Sequence, residues 1–488
     1  MIAVNNKLAA AARRLLPKDQ LARSIAVLVG GTAGAQLILV LASPILTRLY
    51  SPESFGLLAT FAAFMTFISV VACLRYELAV PLAEADQEAA NLVALSIFLV
   101  GVMTGLSALL IYLFADLIAN VLNVESLADF LWLVPVGVLL AGLYQTFEKW
   151  AVRKQSFKRV AKTKFAQAAG NIAVQLLGFK LGPLGLIAGQ IVGQGVGSSS
   201  LGRAALQQKE FRSVSVAGMW GVASRYRAFP IYNTWTALFN TASLQFAPVV
   251  FVALYGADIT GLYALTLRVL TAPASLIGSA VGSVFLAHAP AAYREGVLTE
   301  LVASLHHKLS MAGIPALVLL LAAGPDLFAF VFGEHWRKAG HYAQWMAPWI
   351  YLQFQWSPIS MLAGVLELQR DAMLAQLFTL TARFSALLIC AALGTSADIG
   401  IFAFAVVSAV TYFFCMLWFM AKADVKPLNV ILDELKVLGW FSVLAIPAIV
   451  LFHMNNNYLT LVAAVLFLAQ CCWWVSKISK AKVTAIPL

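Results

Sequence analysis

Apolar stretches long enough to cross a bilayer, punctuated by Pro, Gly and short charged turns, recur from Ser24 almost to the C-terminus. As a helix, roughly 20 apolar residues span a ~30 Å hydrocarbon core. On that measure the pattern predicts about fourteen transmembrane helices, near residues 24–46, 54–76, 90–114, 128–151, 164–181, 183–204, 228–255, 259–287, 309–332, 342–366, 372–393, 397–421, 436–453 and 457–476. The turns are short, so backbone polar groups stay paired within helices, as hydrocarbon requires. The expected fold class is an all-α polytopic membrane protein.

Composition agrees, and charge adds an orientation. Of 488 residues, 61% are apolar and 11% charged, with a mean hydropathy of +0.85, far from the balance of a water-soluble domain. Of the 33 Lys and Arg residues, only Arg48, Lys180, Arg337 and Lys338 fall in loops opposite the N-terminus, while Arg268 and Arg383 lie inside spans. Every other basic residue shares the N-terminal side, which the positive-inside rule makes cytoplasmic for both termini. The net charge of +11 is thereby explained without nucleic acid. The turn from Glu84 to Glu88 is acidic on that same side, and the sequence offers no account of it. Basic residues also precede the first span, as in a signal peptide, but the apolar run is too long for one, so a retained signal-anchor is expected. Residues 8–23 are expected to lie as an amphipathic helix on the inner surface, interrupted by Pro17. Cys73, Cys390, Cys415, Cys471 and Cys472 all fall in predicted spans, without CxxC or a His partner at metal spacing. They predict neither a disulfide nor a metal site.

The chain contains an internal repeat. Pro44-x4-Leu49-Tyr50-x5-Gly56-Leu57 is matched by Pro248-x5-Leu254-Tyr255-x5-Gly261-Leu262. Each copy joins the first two spans of a six-span block, which implies two lobes in parallel repeat about a pseudo-twofold along the membrane normal. The expected organisation is a cytoplasmic segment 1–23, an N-lobe 24–204 (spans 1–6), a cytoplasmic linker 205–227, a C-lobe 228–421 (spans 7–12), and spans 13–14 with a cytoplasmic tail in 422–488. Span six carries Gly185, Gly189, Gly193 and Gly197 on one helical face, a pattern for close helix packing within the lobe.

Several motifs are family-like. Tyr226-Arg227-Ala228-Phe229-Pro230, Leu262-Tyr263-Ala264-Leu265 with Arg268 and Pro273, and Phe332-Gly333 followed by Trp336 and Ala339-Gly340 stand in an order and spacing that resemble the polysaccharide-biosynthesis (Wzx-type) flippases of the multidrug/oligosaccharidyl-lipid/polysaccharide exporter superfamily. Leu49-Tyr50-Ser51-Pro52-Glu53-Ser54-Phe55-Gly56 and Arg75-Tyr76-Glu77-Leu78-Ala79-Val80-Pro81 look similar to the same family's first spans. The resemblance implies a two-lobed inner-membrane transporter. It would move an undecaprenyl-pyrophosphate-linked oligosaccharide from the cytoplasmic to the periplasmic leaflet, for lipopolysaccharide O-antigen, capsule or exopolysaccharide. It implies no enzyme activity and no cofactor, energisation by a proton or sodium gradient or the membrane potential, and as partners the polysaccharide polymerase and chain-length regulator of the same pathway. Two other readings remain open: a cation-coupled multidrug exporter of the same superfamily, or a membrane-embedded polymerase or glycosyltransferase. The deep charges are arginines, and no carboxylate pair or DxD motif occupies an outer loop.

A pyrophosphate inside a bilayer needs compensating positive charge, and an intramembrane arginine is costly unless it has a function or a partner. Arg268 and Arg383 are the deep candidates. Arg75 and Glu77 stand at the inner end of span two as gate or coupling candidates. Two residues apart on a helix, they would face different ways and not pair; Glu77 would carry a coupling proton if burial raised its pKa. Tyr232, Asn233, Trp235, Asn240 and Gln245 in span seven offer aromatic faces and amides for sugar. Asn233 and Asn240 share a helix face at i, i+7. Tyr351, Gln353, Gln355 and Trp356 form a similar set in span ten. Asp326 reads as a bend at the interface, and His306 and His307 as residues of a cytoplasmic loop without a metal role. The orientation makes a checkable prediction: single cysteines placed after Ala205 and after Lys422 should react with an impermeant thiol reagent only from the cytoplasm. Reaction of both from outside would invert the assignment.

Overall fold

In the computed structural model, residues 20–453 are described, apart from Asn123. Most of the expected surface helix 8–23, the fourteenth span, and Cys471 and Cys472 lie outside the described residues. The chain is helical throughout the described part: α1 Gln20–Leu49, α2 Pro52–Val71, α3 Asp86–Val121, α4 Val134–Arg153, α5 Phe157–Leu177, α6 Pro183–Leu206, α7 Val216–Arg225, α8 Thr234–Arg294, α9 Leu298–Phe332, α10 Arg337–Ile359, α11 Gln369–Ala392, α12 Ala397–Lys422 and α13 Pro427–His453, joined by short turns. The first thirteen expected spans fall mostly on these helices, with span two running past the end of α2 at Val71 and span ten past the end of α10 at Ile359. Spans seven and eight form the one element α8, broken at Gly256, whose φ of 84° an L side chain rarely adopts.

Eight helices among the described residues are long and apolar enough to cross a membrane, and their surface shows the solvent they fit. Only 11% of the apolar window of α3 is buried inside the protein, and Phe98, Leu109, Tyr112, Leu113 and Leu117 stand outward on it. Such a face belongs in lipid. The protein is a multi-pass membrane protein.

By its contacts the described chain divides into two compact units, Met1–Gly261 and Leu262–Leu488. In the first unit α5 packs against α6 and α1, and α4 against α6 and α3. The glycine stripe of α6 explains the closest of these contacts. A Cβ at Gly189 would collide with Asn171 and Gln175 of α5, and one at Gly197 with Gln167 and with Tyr144 of α4. Gly56 of α2 and Gly261 of α8, equivalent positions in the two copies of the repeat, also lie against each other. A side chain on Gly56 would strike the Ala257 carbonyl, and one on Gly261 the Pro52 carbonyl.

Residues 205–227 form a short 3-10 turn, Lys209–Ser213, and the amphipathic α7, both clamped to the acidic turn that the sequence left unexplained. Arg225 pairs with Glu84 at 2.7 Å and Glu88 at 2.8 Å, while Asp86 receives Arg153 at 2.8 Å and Lys154 at 2.6 Å. Lys154 reaches Glu210 at 2.8 Å, and its hydrogen bond holds the Glu210 carboxyl below the usual carboxylate range. The acidic residues thus tie the segment between the sixth and seventh spans to the helix ends.

In the second unit α9 packs on α10 and α13, and α12 bridges α10 and α11. His306 and His307 are not in a loop: α9 begins at Leu298, eight residues before them, because its first turns find partners on α13. The glycine contact predicts that Gly56→Ala or Gly261→Ala forces backbone apart and lowers the melting temperature, at the ~1–3 kcal/mol typical of overpacking. Gly221→Ala, where a Cβ meets nothing, should not; equal melting of all three would refute the close contact.

Candidate functional site

Inside the first unit α2, α4, α5 and α6 enclose a polar pocket of about 630 Å³, lined by Thr66, Ser69, Tyr144, Gln145, Glu148, Lys164, Gln167 and Gln194 with Met65 and Ala141. Tyr144 and Glu148 are one turn apart on α4, and the Tyr144 hydroxyl donates to Glu148 Oε1 at 3.2 Å. Lys164 of α5 pairs with that same oxygen at 3.2 Å and stands 4.6 Å from the Tyr144 ring centroid. Its side chain is 25% exposed, so the ammonium is held in place yet open to the pocket. Ser69 Oγ is buried and unpartnered. A cation, a phenol, three carboxamides and hydroxyls in one recess offer both charge and hydrogen bonds, the chemistry that binds phosphate and sugar hydroxyls.

The sequence pattern singles out none of these residues: Lys164 reads as one of the loop charges that orient the chain, and the Gln residues are spread over three helices. A hint lay in α5, where Lys164, Gln167, Asn171 and Gln175 recur at helical spacing.

The expected site residues do not gather in this pocket. Arg268 lies on the second arm of α8, half-buried, and no hydrogen bond or ion pair among the described residues includes it. The adjacent Val269 and Leu270 line a nearly all-apolar groove of about 700 Å³ among α8, α9 and α10. Asn233 and Trp235 are exposed and Gln245 half-buried, while the side chains of Tyr232 and Asn240 lie outside the described residues.

Arg383 is 4% exposed and packed inside the second unit. Its guanidinium sits over Trp349 of α10 at 5.1 Å and over Tyr412 and Phe404 of α12 at 4.8 and 5.8 Å, with Nε and Nη2 unpartnered. Ring faces supply what a carboxylate would otherwise provide. Tyr351 and Gln355 belong to a buried network with Glu434, and Asp326 pairs with Arg337 at 2.5 Å.

Arg75 and Glu77, expected not to pair, do so: Arg75 Nη1 lies 3.4 Å from Glu77 Oε1. The helical spacing does not apply there, since α2 ends at Val71 and both Leu74 and Arg75 take left-handed backbone, φ 46° and 64°. Burial pushes the Glu77 carboxyl up, against the opposing pull of Arg75 and Lys149.

The sequence profile of the family described as "Polysaccharide biosynthesis protein" matches residues 45–340. The chain belongs to the polysaccharide biosynthesis protein family. No curated protein matches it significantly. Among solved structures, the lipid II flippase MurJ in an inward closed conformation is similar, with a TM-score of 0.73 at 13% identity, over 94% of this chain and 99% of that one. An inward-facing multidrug resistance MATE family transporter of the MOP superfamily follows at a TM-score of 0.62 and 14% identity, over 80% and 94%. A eukaryotic MATE transporter reaches 0.52 at 15% identity, over 85% and 98%. At these identities the likeness establishes the fold, and this member of the polysaccharide biosynthesis family therefore has the polytopic transporter fold of MurJ and MATE proteins.

The cage around Arg383 makes a distinguishing prediction. Arg383→Ala should lower the melting temperature by emptying it, in the ~2–5 kcal/mol range of comparable truncations, and Arg383→Met, which refills the space, should restore most of the loss. A variant that melts like wild type but no longer transports would place Arg383 at the ligand instead.

Proposed function

We propose that the protein is a flippase that moves an undecaprenyl-pyrophosphate-linked oligosaccharide from the cytoplasmic to the periplasmic leaflet of the bacterial inner membrane by alternating access, for surface polysaccharide synthesis. The observation that carries this reading is the recess around Lys164, a site for charge and hydroxyl groups inside a bundle whose outer face is apolar. A lipid-linked saccharide combines those two demands. Lys164 and the amides of Gln145, Gln167 and Gln194 supply donors for phosphate and sugar within the first unit; the second unit, taken by itself, offers Arg268 as a cation and, beside it, an apolar groove of the kind a prenyl chain fills. A multidrug exporter for cations would favour uncompensated carboxylates. Here the pocket's Glu148 is neutralised by Lys164.

Deleting the gene should leave lipid-linked oligosaccharide on the cytoplasmic leaflet and remove the surface glycan; normal glycan with no second flippase present would remove the function. Within the protein, Lys164→Met should cut transport about tenfold or more, the worth of one charge-assisted hydrogen bond. The double variant Lys164→Met with Glu148→Gln, which leaves no orphaned carboxylate, should melt normally and still transport poorly. Arg268→Lys should keep part of the activity and Arg268→Met lose most of it at normal abundance, since Lys keeps the charge without the bidentate fork. Full export by well-expressed Arg268→Met would leave Arg268 without a part in transport.

A further inference from the structure

Near their N-terminal ends α9 and α13 enclose a polar cluster that the transport reading does not use. Glu434 of α13 accepts on Oε1 from Gln355 Nε2 at 2.6 Å and Ser310 Oγ at 2.7 Å, and on Oε2 from the Tyr351 hydroxyl at 2.6 Å. His306, 2% exposed, lies beside it. Its Nε2 is 2.9 Å from Glu434 Oε1, off the line of a hydrogen bond, and its Nδ1 is 3.8 Å from Asp433 Oδ2. Among the described residues the titratable groups facing it are thus Asp433 and Glu434 of α13, Tyr351 of α10 through Glu434, and its neighbour His307. His307 Nδ1 sits 2.9 and 3.0 Å from the two Asp433 oxygens, and both of those side chains are about a third exposed, 28% and 31%.

Each ring nitrogen of His306 faces a carboxylate. A neutral imidazole has one N–H, so whichever nitrogen lacks the hydrogen turns a lone pair towards an anion. An imidazolium has a hydrogen on each nitrogen and sets its positive charge between the two carboxylates. Glu434 is already served by three donors, the pattern of an ionised acceptor, so a proton arriving in the cluster belongs on His306.

We propose that His306 is a proton-binding site, filled through the His307–Asp433 pair, whose occupancy is felt in the apolar groove of the second unit. The transfer moves one proton and nothing else: an N–H or O–H bond at the outer pair breaks as an N–H bond forms at His306, and solvent reprotonates the pair. Tyr351 is the connection, because its hydroxyl holds Glu434 while its side chain lines the groove. Losing the proton leaves two carboxylates around a neutral ring. That loosens the α9–α13 junction and changes the hydrogen bonds that fix Tyr351. A gradient can drive only a step whose two states bind the proton differently. The proposal takes its cargo from the flippase reading; the site itself stands on the cluster.

The test uses the full chain in nanodiscs, melted at a series of pH values from about 5 to 8, where histidines titrate. Wild type should melt at lower temperature once the proton leaves, and His306→Gln should flatten that dependence. Glu434→Gln, which keeps the ring but removes one carboxylate, should shift the transition to lower pH, so the site remains testable if His306→Gln folds poorly. A wild-type profile in both variants would overturn the proposal. Binding of undecaprenyl phosphate, used as the probe, should change with pH in wild type and lose that dependence in Tyr351→Phe, which should melt lower throughout for want of its hydrogen bond to Glu434 yet keep the pH dependence that His306 sets. Unchanged pH dependence of binding in Tyr351→Phe would overturn the coupling. If the probe does not bind at any pH while melting still depends on His306, the flippase reading fails and the proton site stands.

Discussion

Hydrocarbon offers no water to a polar group, so polar side chains inside this bundle depend on the protein for their partners. Each unit answers that constraint by gathering its polar residues. In the first unit, Lys164, Glu148 and Tyr144 hold one another at the wall of an open recess. In the second, Glu434 collects donors from α9 and α10, and Arg383 is enclosed by rings. Breaking one partner in such a cluster leaves the other orphaned in a medium that cannot solvate it, which makes these positions costly to alter.

The same accounting separates structural charge from charge left available to a ligand. Arg337 and Lys338, two of the exceptions to the loop-charge rule, are each matched by an acid: Arg337 by Asp326 and Glu334, Lys338 by Asp398. Arg225, Arg153 and Lys154 are spent on the acidic turn. Lys164 is paired with Glu148 but keeps a quarter of its side chain open, and Arg268 lies outside every ion pair among the described residues. Positive charge that the fold has not consumed is what an anionic head group needs.

Close backbone contact supplies the remaining order. With little hydrophobic drive between helices in lipid, small residues let packing do the work, and α6 uses its glycines to bring α5 and α4 within reach. The pocket exists because those helices are near enough for side chains from several of them to face one space. Gly56 and Gly261 make a similar approach at equivalent positions of the repeat, so the internal symmetry of the sequence reappears as a physical contact.

Periodicity and length alone determined that this chain is membrane-spanning and, among the described residues, all-helical, because a bilayer imposes one apolar length on each helix. Its motifs also marked the family. Which polar residues share a site was decided only by tertiary structure. Lys164 lies just beyond a run of loop charges and reads as one of them until α4 brings Glu148 and Tyr144 to it. His306 has no visible partner within α9, since Asp433 and Glu434 come from a helix more than a hundred residues later. Arg75 pairs with Glu77 only because the chain leaves the helix at Val71, a backbone change that helical spacing could not anticipate. A charge buried in lipid is defined by its neighbours, and the sequence names the charge without naming them.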